Sequence, residues 1–214
     1  MRRYTAAEEI AHAVTHGVGL LLSCIALPVL VSLAGKRGDL WQVVSTSIYG
    51  ITLVLVYAAS TGYHTSGSPR TKEFFRILDN AAIFLFIAGT YTPFTLVSLR
   101  GGWGWTMFGV VWGIALVGVF IESVSRPQVR LVSLVLYLAM GWLAVVAAKP
   151  LLHAVEPGGL ALLFGGGLAY TGGVVFYAWR RLPFHHAVWH VSVLIGSALH
   201  FLAVLLYVLP HDTA

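Results

Sequence analysis

Long apolar segments recur along the chain, separated by short polar connections. Each segment approaches or exceeds the roughly 20 residues that a helix needs to cross the hydrocarbon core of a bilayer. The first is too long for the core of a signal peptide and is followed by others, so we expect it to be retained. The pattern predicts an all-α protein of one domain, residues 1–214, a bundle of seven transmembrane helices with spans at about 14–34, 40–64, 77–99, 103–122, 129–148, 160–179 and 184–209.

Composition agrees with a membrane protein and excludes several other classes. Of 214 residues, 58% are hydrophobic and only 10% are charged, whereas about a quarter are charged in a soluble domain. The single cysteine, Cys24, excludes an intrachain disulfide and a cysteine metal cluster. The formal net charge is +5, but the basic residues are scattered among the loops without an aromatic-basic face, so we predict no nucleic-acid partner.

The basic residues predict how the bundle is oriented, because Lys and Arg accumulate in short cytoplasmic loops. If the N-terminus is cytoplasmic, nine basic residues face the cytoplasm: Arg2, Arg3, Arg70, Lys72, Arg76, Arg126, Arg130, Arg180 and Arg181. Four then face outward: Lys36, Arg37, Arg100 and Lys149. The count predicts a cytoplasmic N-terminus and an external C-terminus.

Polar residues inside the predicted spans lie near the cytoplasmic ends. His186 and His190 are four apart in the last span, so a helix places both on one face, about 6 Å apart along its axis, with His185 pointing elsewhere. Ser60 and His64 have the same spacing at the end of the second span, and Asp79 stands near the start of the third. Because ionisable groups within spans are costly and turn toward the bundle interior, their matched depth predicts one shared site.

Three neutral imidazoles that leave a fourth position open are typical of a catalytic zinc site. We therefore predict His64, His186 and His190 as zinc ligands and Asp79 as the carboxylate that holds the attacking water and accepts its proton. Ser60 would donate a hydrogen bond to the developing oxyanion or to Asp79, unless it bonds a carbonyl of its own helix. The alternative for a histidine here is an interfacial residue that contacts headgroups.

The first helix adds Glu9, His12 and His16, spaced so that they share a face at the same end. We expect them to lie behind the ligands and orient them. Glu9 is otherwise a favourable charge in a first helical turn, and His12 an interfacial residue. His16 is deeper, and we expect it to pack against polar groups of other helices; it is also an alternative to one of the chosen ligands. His200 lies too far along its helix to share the metal and is interpreted as a packing residue.

A nucleophile generated just below the cytoplasmic headgroups would meet membrane lipids more readily than soluble metabolites. The leading hypothesis is a zinc-dependent hydrolase of a lipid amide or ester in the bacterial inner membrane. The alternative is a non-enzymatic regulator in which the metal joins helices. Ion transport is disfavoured because the ionisable residues stop at one side, and retinal because the last span has no lysine. Haem with two axial histidines remains open.

Four segments also carry a family resemblance: EEIAHAVTHGVG, STGYH, RILDNAAIFLFIAGTYTPF and FHHAVWHVSVLIGSALHF. The chain resembles the bacterial hemolysin III proteins, within the progestin and adipoQ receptor superfamily that includes the adiponectin receptors. The resemblance implies a seven-helix fold with the N-terminus inside, zinc held by His64, His186 and His190 with Asp79 acting through water, and kinship with alkaline ceramidases. The family often has Asn where this chain has His12, and His where it has Asn80. Its name implies cytolysis, although no segment here resembles an amphipathic pore former.

Overall fold

The computed structural model describes residues 4–37, 39–124 and 130–209, and for Arg37 and Arg130 the backbone alone. Seven helical segments within these ranges are long and apolar enough to cross a membrane, which confirms the predicted all-α fold. Arg2, Arg3, Arg126 and the expected start of the fifth span at position 129 lie outside the described residues. The helices are α1 Ala6–Arg37, α2 Leu40–Thr65, α3 Pro69–Pro93, α4 Gly102–Val124, α5 Arg130–Gly141, α6 Ala148–Ala154, α7 Pro157–Ala178 and α8 His185–Tyr207.

Helix α1 begins eight residues before the expected start of the first span, because a capping box initiates it at Thr5. The Thr5 backbone N–H donates to the Glu8 carboxylate over 2.9 Å, and the Glu8 N–H donates to the Thr5 hydroxyl over 3.2 Å. This reciprocal pair satisfies donors that a helix start otherwise leaves free. The extra turns carry Glu9 and His12 into the helix.

Helices α2 and α3 also begin at side-chain caps. Asp39 accepts from the backbone N–H of Gln42 over 3.1 Å, and the Gln42 side chain accepts from the Asp39 N–H over 3.0 Å. Ser68 caps α3, and Pro69, whose missing N–H costs nothing at this position, follows as its first residue. Helix α3 therefore starts eight residues before the expected position 77, on the polar segment that precedes the apolar run.

Helix α1 packs against α2 and α8, and α2 also packs against α3. Helices α1 and α2 approach closely at Gly19, where the ring of Tyr57 lies in the space that a side chain would fill. A Cβ atom built at Gly19 would lie 2.6 Å from two ring carbons of Tyr57. These contacts bring the N-terminal ends of α1 and α8 next to the C-terminal end of α2.

The fifth crossing is interrupted. Helix α5 ends at Gly141, a 3₁₀ segment follows at Leu143–Ala147, and α6 continues the crossing to Ala154. Tyr91 of α3 forms hydrogen bonds with backbone groups at this interruption. Its hydroxyl donates to the Met140 carbonyl over 2.8 Å and accepts from the Ala144 N–H over 2.9 Å. Helix α3 itself passes into a π-helical turn at Phe94–Ser98 after Pro93. Irregular backbone at membrane depth is tolerated where protein groups satisfy it in this way.

Candidate metal centre

The polar residues singled out in the sequence gather at one end of the bundle. We call this the histidine end: the end where α1, α3 and α8 begin and α2 finishes. Four helices contribute to it, so residues far apart in sequence become neighbours. The side chains in question are Glu9, His12 and His16 of α1, Ser60 and His64 of α2, Asp79 of α3, and His186 and His190 of α8.

His64, His186 and His190 form a compact group that we call the three-histidine site. Their ring centres lie 5.1 Å apart for His64 and His190, 5.4 Å for His64 and His186, and 4.5 Å for His186 and His190. One nitrogen from each ring lies within 4.8 Å of the other two. With Zn–N distances of about 2.0–2.1 Å in a tetrahedral site, ring centres would stand about 5 Å apart. The spacing of the rings therefore suits a single metal ion.

The proton on His64 can be assigned from its partner. Its Nδ1 lies 2.7 Å from Glu9 Oε2, and a carboxylate only accepts, so Nδ1 carries the proton. The Nε2 atom is buried and has no hydrogen-bond partner among the described residues, which leaves its lone pair free. The other oxygen of Glu9 accepts from Lys72 Nζ over 2.7 Å. A carboxylate behind the far nitrogen of a histidine is the usual way proteins orient a metal ligand.

His190 is oriented in the same sense by α1. Its Nδ1 lies 3.0 Å from the Thr15 hydroxyl and 3.3 Å from the His12 carbonyl. Since the Thr15 hydroxyl donates to the carbonyl of Ala11 over 2.8 Å, both groups accept from His190. Nδ1 therefore carries the proton and the Nε2 lone pair is available to a metal.

His186 is the third member and differs from the other two. It is partly buried, and its Nδ1 is buried without a partner in the described part of the chain. Tyr4 stacks on its ring at 5.6 Å between centres. With two imidazoles directing Nε2 lone pairs and a third having a free ring nitrogen, these side chains fit a metal ion.

Asp79 and Ser60 belong to a hydrogen-bonded chain beside this group. His16 Nδ1 lies 2.6 Å from the Ser60 hydroxyl, and the Ser60 side chain hydrogen-bonds to Asp79. The His16 ring stacks on His190 with 3.5 Å between centres. Among the described residues, neither Asp79 nor His16 belongs to a group whose ligand atoms are close enough to share one metal ion.

His12 lies closer to the metal centre than its expected orienting role requires. The ring is fully buried, and its centre is 4.7 Å from that of His64 and 4.9 Å from that of His186. Its Nδ1 is 3.8 Å from Glu9 Oε2, and neither ring nitrogen has a hydrogen-bond partner within the described ranges. Glu9, His12 and His64 form a second group whose ligand atoms lie within 4.8 Å of one another, which we call the Glu9 site.

Two further histidines of α8 lie apart from both groups. The Nδ1 of His185 lies 3.1 Å from the carbonyl of Phe176, which ties the start of α8 to the end of α7. His200 places Nε2 3.2 Å from the carbonyl of Leu163 and lines an apolar cavity of about 290 Å³. His200 is ten residues beyond His190 along α8, so it lies about 15 Å deeper in the bundle.

Two residues that position the site went unrecognised in the sequence. Lys72 entered only the count of basic loop residues, yet it pairs with Glu9. Thr15 of α1 accepts a hydrogen bond from His190, although nothing in the sequence marks it as more than a helical threonine that bonds its own backbone. Lys72 could have been found from its position in the first turn of α3, at the same end of the bundle as Glu9 and His64. No feature of the sequence pointed to Thr15.

A second polar network at the histidine end was also missed. Glu122, near the end of α4, is buried and accepts from Asn80 Nδ2 over 3.1 Å and from the Ser133 hydroxyl of α5. The Tyr137 hydroxyl donates to the Asn80 carbonyl over 2.8 Å. This network joins α3, α4 and α5 next to Asp79. Asn80 takes part in it through both its side chain and its carbonyl, a role that the sequence did not indicate.

Fold and site together define an integral membrane protein of seven crossings with a cluster of buried histidines at one end of the bundle. The chain belongs to the Haemolysin-III related family, whose sequence model matches residues 4–201, and this confirms the resemblance seen in its motifs.

Individual relatives cover almost the whole chain. It is 45% identical over 204 residues to the Hemolysin-3 homolog of Bacillus subtilis (strain 168), an alignment that spans 95% of this chain and 96% of that protein. It is 45% identical over 203 residues to Hemolysin-3 of Bacillus cereus, spanning 95% and 93%. The Monocyte to macrophage differentiation factor of Homo sapiens is 29% identical over 215 residues, spanning 98% and 88%.

Proposed function

We propose that this protein is a zinc-dependent hydrolase that cleaves an amide or ester bond of a membrane lipid. The observation that carries the proposal is the convergence of His64, His186 and His190, two of which direct a free Nε2 lone pair away from a hydrogen-bonded Nδ1. Three neutral imidazoles are the ligand set of catalytic zinc sites that keep a position open. When bound, zinc would supply Lewis acidity toward a carbonyl and lower the pKa of water.

Asp79 supplies the acid-base group in this proposal. It would accept the proton of the attacking water and return it to the leaving amine or alcohol. Ser60 hydrogen-bonds to Asp79 and His16, which favours a role in holding the carboxylate over donation to an oxyanion. His16, stacked on His190, would keep that chain next to the metal ligands.

The depth of the site supports a lipid as substrate. His64 is the next-to-last residue of α2 and His186 the second residue of α8, so the ligands lie at one edge of the membrane-spanning region. An amide or ester at the junction of headgroup and acyl chain lies at a comparable depth. We propose further that the histidine end faces the cytoplasm of a bacterial inner membrane, since Arg70, Arg76 and the pair Arg180 and Arg181 lie at that end.

The test is turnover by the detergent-purified, zinc-loaded protein on N-acylated sphingoid lipids and on ester phospholipids. We expect hydrolysis of one class by the wild type, and in His186→Ala a loss of activity together with weaker zinc binding. Asp79→Asn should abolish turnover while zinc content and melting temperature stay near wild type. His153→Asn, which removes an exposed histidine of α6, serves as the control.

The opposite pattern would support the non-enzymatic alternative, in which the ion joins α2, α3 and α8. In that case the wild type hydrolyses neither lipid class, and Asp79→Asn lowers zinc content and melting temperature together. Orientation is tested separately, with a phosphatase fused to the C-terminus that is active only outside the cytoplasm. An inactive fusion would overturn the assignment of the histidine end to the cytoplasm.

A further inference from the structure

The Glu9 site shares His64 with the three-histidine site. The ligand atoms of Glu9, His12 and His64 lie within 4.8 Å of one another, and one carboxylate with two imidazoles is a set that divalent zinc and its neighbours accept. Nothing in the proposed hydrolysis uses His12. The arrangement therefore calls for a separate explanation.

The surroundings of His12 indicate that it binds a ligand. The side chain is fully buried, and neither nitrogen has a hydrogen-bond partner among the described residues. Leaving a buried polar group unpaired is costly, so such groups in folded proteins call for a partner. The ring lies next to the rings of His64, His186 and His190, with centres 4.7–5.5 Å away. A metal ion is the partner that this neighbourhood favours.

The Glu9 site reaches the surface of the bundle at the histidine end. The Glu9 side chain is 25% exposed, whereas that of His64 is fully buried. The present counter-ion of Glu9 is Lys72, whose side chain is 35% exposed and whose Nζ also lies over the ring of Tyr63, 5.1 Å from its centre. An incoming dication would replace one ammonium group beside the carboxylate and gain two imidazole ligands that the ammonium group cannot use.

The shared histidine limits how the two sites are filled. A neutral imidazole has one lone pair, so His64 binds one ion at a time. We propose that Glu9, His12 and His64 form a loading site, which captures a divalent cation from water and passes it to His186 and His190 by exchange of ligands around His64. At the loading site the ion takes the His64 nitrogen beside Glu9, so the Nδ1 proton moves to Nε2, and it returns to Nδ1 when the ion passes to the Nε2 lone pair. The inference rests on the metal-binding part of the proposed function and does not depend on hydrolysis.

The first test isolates the loading site. His186→Ala removes a ligand of the three-histidine site alone, and metal-free protein in detergent is titrated with Co²⁺ and followed by absorbance. We expect one residual site, at least tenfold weaker than in the wild type. Adding His12→Asn should reduce that affinity at least tenfold more, while adding His153→Asn should not. Equal binding by the two double variants, or no residual binding in His186→Ala, would overturn the proposal.

The second test follows the rate of loading. His12→Asn alone should leave the equilibrium affinity for Co²⁺ within about threefold of wild type and slow loading at least tenfold, with His153→Asn loading at the wild-type rate. Loading at the wild-type rate would refute a capture step. An affinity loss as large as that of His186→Ala would make His12 an ordinary ligand of the three-histidine site.

A third variant is expected to load metal faster, a result that misfolding would not produce. Lys72→Gln removes the cation that competes for Glu9, so we expect Co²⁺ loading at least threefold faster and tighter residual binding in the His186→Ala background. A poorly folded protein would not produce either gain. Loading no faster than wild type would contradict the proposed capture by Glu9. A wild type that binds no metal at all would instead overturn the proposed function itself.

Discussion

Replacing Glu9 by Gln tests whether the carboxylate behind His64 tunes the metal site. Gln has nearly the same shape, and its amide oxygen still accepts from His64 Nδ1, so the change removes charge more than volume. It also places a neutral group 2.7 Å from Lys72 Nζ, whose partner is lost. Since the ring would keep its tautomer but become a weaker base, the affinity for metal should fall.

The size of the effect can be worked out in two ways. A hydrogen bond to a charged group contributes about 1.5–3 kcal/mol, roughly twice a neutral one, so neutralising Glu9 loses about 1–2 kcal/mol of support for His64. Losses of orienting partners behind metal ligands typically cost 10–100-fold in affinity, or about 1.4–2.7 kcal/mol. Both routes predict a weakening of about 10–30-fold for Glu9→Gln.

The assay is competition for zinc between the purified protein and a chelator of known affinity at fixed pH. Glu73→Gln is the matched control, because it removes another carboxylate from the histidine end of the bundle. Glu73 is exposed and pairs with Arg76 over 2.6 Å. We expect the control to bind zinc as the wild type does. A Glu9→Gln protein whose affinity stays within twofold of wild type would show that the carboxylate does not act on the metal through His64.

Two further predictions concern the scaffold. Gly19→Ala should destabilise the protein by about 1–3 kcal/mol in thermal unfolding, because its Cβ would meet the Tyr57 ring at 2.6 Å, whereas Gly17→Ala, with nothing within 4 Å, should be neutral or slightly stabilising. Equal melting temperatures would refute this packing. The backbone hydrogen bond from Gln42 lowers the pKa of Asp39, so the charge of Asp39 stabilises the fold above its usual pKa, and this contribution disappears as the pH falls through the lowered value. Wild type should therefore lose more stability than Asp39→Asn between pH 7 and pH 3; parallel losses would contradict it.

Hydropathy alone predicted the number of crossings, because whether a segment is long and apolar enough to span a membrane depends on that segment only. The ends of the helices were harder to predict, because they depend on capping residues outside the apolar run. The Thr5 and Glu8 pair starts α1, and Ser68 starts α3, each earlier than the apolar residues indicate. The break in the fifth crossing was unpredictable for a related reason. Its backbone is satisfied by Tyr91 from another helix, and no local pattern encodes that contact.

For the site, spacing identified which residues share a face and a depth, and this brought His186, His190 and His64 to the same end of the bundle. The rotation of one helix against another follows from packing, which a single segment does not reveal. For that reason the relative places of His12 and His16 stayed open in the sequence. The structure puts His12 with Glu9 and His64, and His16 in the chain that leads to Asp79 through Ser60.

The packing below the metal site shows why its geometry depends on residues that no metal would touch. Tyr57 lies two helical turns from His64 on the same face of α2, so any rotation of α2 at Tyr57 carries His64 with it. Tyr57 is fixed on two sides: its ring fills the gap at Gly19 of α1, and its hydroxyl donates to Ser197 of α8 over 2.8 Å. The ring of His16 meets it edge-on at 5.1 Å. The contacts that hold α1, α2 and α8 together therefore also set the distance between His64 and the histidines of α8. A substitution that loosens them should weaken the proposed metal binding without removing a ligand.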